Sequence, residues 1–481
     1  MSCQADSDDS LLLQHYDCVA SYHGKGRLTF RDHRWLFCRF AAGQLQSGEV
    51  ILLCFSIPTD RYEDTDYPLY RRLYDFDSGW SPSSFCGRTA DGQVVKGHGF
   101  SFFNYLTPKP NPLDAGWAAF GLREMSVQEA KPLEAKQVTY GLSNIEITGT
   151  EMARNGTLAS YMPLSLEAPD FGCEVTLRSL SNRTEVMRKL RALRGMSVSA
   201  EATLRIIDYA GLRKADLAMD DLCCLLSIAR GTGVQWLYRQ ICDDNGKMVS
   251  TTHYWRARAS FCQLWAIQPR MMYGRATKDF VETAYPILVS RPDVYKPAIN
   301  MYLDAKAEAD SLEVRSAKMA LAMEALKAAM LKHLHGVNEY IIPEQEFDKL
   351  LKDLESTVDS FLESRGLGNE SRKEIVGQVK ALNRTSFRRL IKHLSTDIGL
   401  TMNAKDLNLF IQCRNSLVHG GRFYCVSATE KERKQCRPKP TGETEYFFLV
   451  HFLDRIFLKL FGYCGPYMDW SSGRPEWKNE L

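Results

Sequence analysis

In LFIQCRNSLVHGG, residues 409–421, an arginine, an asparagine and a histidine stand close together. Arg414 offers a planar fork of N–H donors that matches phosphate or carboxylate oxygens. His419 offers an imidazole, the side chain best suited to proton transfer near neutral pH. Asn415, one turn before His419, can orient the ring or donate to an oxygen. These types suit proton transfer beside a crowded anion.

A helix must position them. Asn403 is a plausible N-cap, and Asp406 falls in the first turn, where a carboxylate complements the helix dipole. Apolar residues follow at Leu407, Phe410, Ile411, Leu417 and Val418, with a gap that Arg414 fills. Arg414 is therefore expected in a core slot, which costs several kcal/mol in order of magnitude unless the cation is paired or at an interface. A second stripe runs through Asn408, Gln412, Asn415 and His419 at spacings of four, three and four. Gly420 and Gly421 end the helix, so His419 lies where the dipole and free carbonyls favour a cation.

The Arg-x4-His spacing recurs at Arg388 and His393 in SFRRLIKHLS. There Phe387, Leu390, Ile391 and Leu394 take the core face, leaving Arg388 and His393 on an exposed basic side. Glu324, alone in the apolar run 319–326, is either the buried partner of Arg414 or an exposed residue paired with Lys327.

The chain has 481 residues, 44% hydrophobic and 25% charged, which suits two or three folded domains. With a formal net charge of +3, any polyanion surface must be local. Residues 341–370 carry 3 Lys/Arg and 8 Asp/Glu, whereas residues 371–440 carry 15 Lys/Arg and 5 Asp/Glu. That basic segment holds the Arg414 motif and offers Arg388, Arg389, Lys392 and Arg422 as candidate phosphate contacts. No apolar run reaches the roughly 18 residues of a membrane span. The start, MSCQADSDDSLLLQHYD, lacks the pattern of a signal peptide, and the 14 scattered cysteines contain no CxxC. A cytoplasmic protein with reduced thiols and no membrane partner is expected.

Three regions follow from the patterning, giving an α+β chain of several domains. Residues 1–196 hold short β-branched and aromatic runs such as GEVILLCFSI and KQVTYGLSNIEITG, set apart by turn clusters such as TPKPNPLDAG. They predict a β-rich sandwich or barrel-like domain. Its aromatic stretches HGFSFFNYL and YRRLYDFDSGW are candidates for a recognition surface as well as for core. Residues 197–296 are mixed, with a helix ending at Gly231, a hairpin turning at Asp244-Asn245-Gly246, and helices broken at Pro286 and Pro292. Residues 297–481 are helical.

RNSLVH resembles the R-N-x-x-x-H signature of HEPN ribonuclease domains. ALAMEALKAAM is similar to the first long helix of ApeA-like HEPN domains. YGLSNIEITG and LCCLLSIARGTGVQWL resemble the amino-terminal region of ApeA-type anti-phage defence proteins. The resemblance implies a helical HEPN domain, working as a homodimer or higher even oligomer that brings two Arg/His helices together. It implies cleavage of RNA without a metal or other cofactor, as a toxin in abortive infection, with transfer RNA among the targets. It also implies a sensing role, with a phage-derived trigger, for the amino-terminal region. Arg414, Asn415 and His419 would be catalytic, with Glu324 in support. In such chemistry the ribose 2′-hydroxyl attacks its own phosphate, His419 moves protons, and Arg414 braces the phosphate oxygens. The rival expectation is a non-catalytic module whose helices only dimerise or bind RNA. Cys413, His419, Cys425 and Cys436 match no usual zinc spacing, and ARGTGVQW lacks the Lys-Ser/Thr of a phosphate-binding loop.

Overall fold

A computed structural model of the chain describes residues 13, 18–31, 33, 35–56, 82–102, 117–128, 136–149, 151–155, 157–168, 171–193, 196–205, 209–243, 245–256, 261–331, 340–366, 368–428 and 441–481. It forms two compact units, one built mainly from Met1–Ser290 and the other mainly from Arg291–Ala305 and Asp310–Cys464. The α+β class expected from the patterning holds. The stretches 70–80, 107–116 and 429–440 fall outside the described residues.

The first unit begins with strands β1 (Cys18–Phe30), β2 (Trp35–Leu45), β3 (Val50–Ser56), β4 (Pro82–Thr89), β5 (Val94–Phe102) and β6 (Trp117–Gln128). They pair antiparallel in the order β3-β2-β1-β4-β5-β6, and β3 also pairs with β6, so the sheet closes into a six-stranded barrel. Closure removes the exposed edges that an open sheet would leave. Alternate residues point inward, among them Leu28, Phe40, Leu52, Phe85, Val95, Phe120 and Met125. Gly26 and Gly87 face the same interior, where an added Cβ would lie 2.7 Å from the Phe85 ring and 2.5 Å from the Phe40 ring respectively.

From β6 the sheet continues through β7 (Gln137–Ser143), β8 (Glu151–Asn155), β9 (Thr157–Ala168), β10 (Phe171–Ser179), β11 (Val198–Arg205), β12 (Trp236–Cys242) and β13 (Met248–Tyr254). The spatial order is β6-β13-β12-β7-β11-β10-β9-β8. The mixed segment 197–296 is therefore divided: residues 197–290 belong to the first unit, where β11, β12 and β13 complete this sheet, and residues 291–296 belong to the second. The predicted hairpin is β12–β13, with Gly246 at φ 73° in its turn. Helices α1 (Arg183–Leu193), α2 (Tyr209–Arg230) and α3 (Arg275–Ser290) accompany the sheet, and α3 packs on β9 and α2. Pro286 does not break its helix as expected. It lies inside α3, where buried Tyr285 and Leu288 on either side hold the helix against the loss of one N–H bond.

Within the second unit, α4 (Pro292–Lys306) starts on Pro292, where a helix needs no N–H. It is followed by α5 (Leu312–Leu331), α6 (Glu344–Arg365), α7 (Asn369–Leu382), α8 (Phe387–Asp397), α9 (Ala404–Gly420), α10 (Tyr424–Ser427) and α11 (Gly442–Leu460). α11 is the central element: Tyr446, Leu449, Val450, Leu453, Phe457 and Leu458 are all buried, and it packs against α5. α9 packs on α5 and α11. Among the described residues no helix is long and apolar enough to cross a membrane.

Candidate active site

α9 starts and stops where its sequence directs. Asn403 accepts from the Lys405 N–H at 2.9 Å, satisfying one of the free donors of the first turn. Gly421, at φ 63°, returns its N–H to the Leu417 carbonyl at 3.0 Å and closes the helix in the left-handed conformation that glycine tolerates.

The buried seam of α9 differs from the expected stripe. Leu407, Phe410, Cys413 and Leu417 are buried, Ile411 is half-buried and Val418 is exposed. At 3.6 residues per turn, Cys413 follows Phe410 on the packed side and fills the slot expected for Arg414. Arg414 lies at the edge of the seam, with 18% of its side chain exposed. The correction changes the energetics, because a cation at the seam's edge keeps partial hydration and can be paired from the side.

That pairing is extensive. Arg414 Nε and Nη2 both donate to Glu324 Oε1 on α5, at 3.1 and 2.7 Å. Arg414 Nη1 donates to Asn415 Oδ1 at 2.8 Å and faces His419 Nε2 at 3.2 Å. A guanidinium only donates, so His419 accepts through Nε2 in this contact. Glu324 Oε2 meets Lys327 Nζ at 2.6 Å. The two pairings expected as alternatives for Glu324 thus coexist, one on each carboxylate oxygen.

Beneath the cations lies Phe387, at the start of α8. Arg414 Cζ and Lys327 Nζ each stand 5.2 Å from its ring centroid, within cation–π range. Phe387 continues inward through Phe410 and Phe452, whose rings stack 4.2 Å apart. The periodicity of α8 places Phe387 on the core face. Its second role as a floor for the cations has no local sequence signal, because it depends on α8 meeting α9.

The chain leaving His419 is also held. Ser416 Oγ donates to the Arg422 carbonyl at 2.9 Å. Glu445, buried on α11, accepts from the Tyr424 N–H at 2.8 Å and from the Cys425 N–H, taking up donors at the start of α10. Glu445 is not among the sequence candidates.

The other candidates are more scattered. Arg388, Arg389, Lys392 and Arg422 are exposed, and His393 is half-buried. Arg388 and Lys392 line a cleft of about 580 Å³ between α8 and the start of α9, with Asn408 on its wall. Asn415 and His419 do not line this cleft, but they share the α9 face of Asn408 further along. Among the described residues no cluster of three or more His, Cys, Asp or Glu is placed to hold a metal. Cys413 is sealed in the core, and Cys436 lies outside the described residues.

The cluster defines a class of site: an arginine fork clamped by a carboxylate, with an exposed imidazole and amide on its open side. No protein-family model, curated protein or solved structure matches the chain.

Proposed function

We infer that the helical unit is an endoribonuclease of the HEPN kind, cutting RNA without a metal and acting as a toxin in anti-phage defence. The observation that carries the reading is the reach of Arg414 Nη1 to both Asn415 and His419, while Glu324 fixes the opposite edge of the guanidinium. Arg414 at the seam's edge and exposed Asn415 and His419 therefore meet on the open side of one helix.

The reaction uses the substrate's own nucleophile. A base takes the proton of the ribose 2′-hydroxyl, O2′ bonds to the adjacent phosphorus, and the P–O5′ bond breaks. The leaving O5′ receives a proton, giving a 2′,3′-cyclic phosphate and a 5′-hydroxyl. His419 moves one of these protons. Arg414 holds the phosphate oxygens as charge builds on them, and its Nη1 exchanges the imidazole for a phosphate oxygen when RNA binds. Asn415, whose Oδ1 accepts from Arg414 Nη1, orients the His419 ring or donates its amide N–H to a phosphate oxygen. Deoxyribose lacks the nucleophile, so DNA survives. A second copy of the chain supplies the facing Arg/His pair.

One observation favours a second reading. A guanidinium has five N–H donors, and four of those on Arg414 are already engaged. In a non-catalytic module that dimerises or binds RNA, the same cluster would serve only as a structural pin. Cleavage of total and transfer RNA in EDTA by wild type, Arg414→Ala and His419→Ala separates the readings. The enzyme reading expects cyclic-phosphate ends from wild type alone. Intact RNA from folded wild-type protein leaves the module, and undiminished cleavage by His419→Ala moves the site, first to His393.

A further inference from the structure

The outer face of the barrel carries a pattern that its fold does not require. Along β1 the outward residues Lys25 and Arg27 are exposed. In the antiparallel register Arg27 stands opposite Phe37 on β2 and Cys86 on β4, and Cys86 stands opposite Lys96 on β5. Lys25 stands opposite Arg88 on β4. Directly opposed residues share a face, so Lys25, Arg27, Arg88 and Lys96 form one exposed basic field over three adjacent strands. Lys96 stands opposite Ser126 on β6, and in the next row on the same face His98 stands opposite Glu124, at the field's edge.

At the border of this field two aromatic rings are open to solvent. Trp35 is 50% and Phe37 55% exposed, and their rings meet edge to face at 4.8 Å. Neither ring belongs to the barrel core, which is filled by Phe40, Phe85 and Phe120 from the opposite side of the sheet. Like charges directly opposed across strands destabilise a sheet. A cluster of cations beside exposed aromatic faces therefore carries a cost that packing does not explain.

We propose that this face of the barrel binds single-stranded RNA, with Lys25, Arg27, Arg88 and Lys96 along the phosphates and Trp35 and Phe37 under the bases. Strand geometry sets same-face neighbours about 6.7 Å apart along a strand and about 4.8 Å apart between strands, so the cations can follow an extended backbone. Stacking on exposed rings needs bases free of a duplex, which selects a single strand. The choice of RNA over DNA rests on the ribonuclease reading of the helical unit; the polyanion and the stacking do not.

The test is fluorescence anisotropy with a fluorescein-labelled oligouridine 12-mer, using the full chain carrying His419→Ala, in EDTA and over a series of salt concentrations. The paired substitution Lys25→Glu with Arg27→Glu is expected to weaken binding at least tenfold and to flatten the log–log salt dependence by about 0.7 for each phosphate no longer neutralised. The pair Trp35→Ala with Phe37→Ala is expected to weaken binding about tenfold and leave the salt slope unchanged. Circular dichroism checks that both variants fold. Unchanged affinity in both folded pairs overturns the proposal, as does absence of oligouridine binding by the parent. Tighter binding of oligothymidine than oligouridine assigns the face to DNA and overturns the choice of RNA. Loss of phosphatidylserine-vesicle flotation in the variants with oligouridine binding intact assigns it to a membrane. RNA cleavage by the wild-type chain is measured separately, so failure of the barrel surface and failure of the ribonuclease reading give different results.

Discussion

Glu324 Oε1 accepts from both Nε and Nη2 of Arg414, leaving Oε2 to meet Lys327 at 2.6 Å. One carboxylate thus ties α5 to α9 and fixes the rotation of the guanidinium about its own axis. Nη1 is the edge left to face Asn415 and His419.

Glu324→Gln keeps the shape and removes the charge. Two cations then share a neutral acceptor, and a stability loss of about 1–2 kcal/mol is expected, since the pair is only partly buried. Arg414 also loses its fixed edge. RNA cleavage should fall about tenfold, mainly in kcat, with KM little changed. A folded Glu324→Gln protein that cleaves at the wild-type rate would remove Glu324 from any positioning role.

Arg414→Lys keeps the charge and removes the fork. One ammonium cannot serve Glu324, Asn415 and His419 in the geometry that the guanidinium does. Cleavage should fall on the order of 100-fold, while urea unfolding shifts by less than about 1 kcal/mol. Near-normal cleavage would mean that a point charge suffices and that the planar geometry is incidental.

Much of this site is legible in the chain, and the remainder depends on how distant segments meet. The N-cap at Asn403, the stop at Gly421 and the grouping of Arg414, Asn415 and His419 are local and follow from helix spacing. The identity of the seam residue is not local. Cys413 and Arg414 sit side by side at the same level of α9, and only the positions of α5 and α11 decide which is buried. The barrel shows the same division. Its strands are visible as alternating runs, but closure depends on β3 pairing with β6 more than sixty residues away. The floor under the cations at Phe387 and the anchor at Glu445 arise the same way, from helices that meet only in the folded unit.

Glu445→Ala tests the anchor. The substitution strands the buried N–H groups of Tyr424 and Cys425, each costing about 1–3 kcal/mol. A loss of about 3 kcal/mol is expected in urea unfolding. Glu445→Gln, which retains one acceptor oxygen, should lose roughly half as much. Equal stability of the alanine and wild-type proteins would show that the α10 donors find other partners.

Acid stability should report on His253. Gln44 Nε2 donates to the Leu237 and Tyr254 carbonyls, at 2.8 and 3.0 Å, so its Oε1 accepts from His253 Nδ1 at 2.8 Å. His253 Nε2 then accepts from Tyr22 at 3.1 Å, and the ring is neutral. Burial lowers its pKa from the usual 6.5 to about 3. Below pH 6.5 the unfolded chain binds a proton that the folded chain refuses. The stabilisation is complete above 6.5 and is lost as the pH falls towards 3, by about 1.4 kcal/mol per unit. His451, which burial lowers to about 4, acts with the same sign over a shorter range. Urea midpoints from about pH 7.5 to about 4.5 should fall steeply for wild type and less for His253→Gln. Parallel curves for the two proteins would exclude a buried neutral His253.

The proposed mechanism, with facing Arg/His pairs, requires a second chain over the α9 face, and the apolar exposure there supplies a test. Val418 on α9 and Leu321 on α5 are 38% and 47% exposed. Leu321 precedes Glu324 by three residues and Val418 adjoins His419, so both belong to the helices that carry the cluster. A second copy closing on this surface would bury them. Leu321→Glu and Val418→Glu should each shift the sedimenting species from dimer to monomer, because a buried unpaired carboxylate costs several kcal/mol. RNA cleavage should fall with the dimer fraction and recover at higher protein concentration. A monomeric wild-type chain that cleaves RNA, or dimers unaffected by both substitutions, would separate the activity from this face and leave Arg414 and His419 to act within one chain.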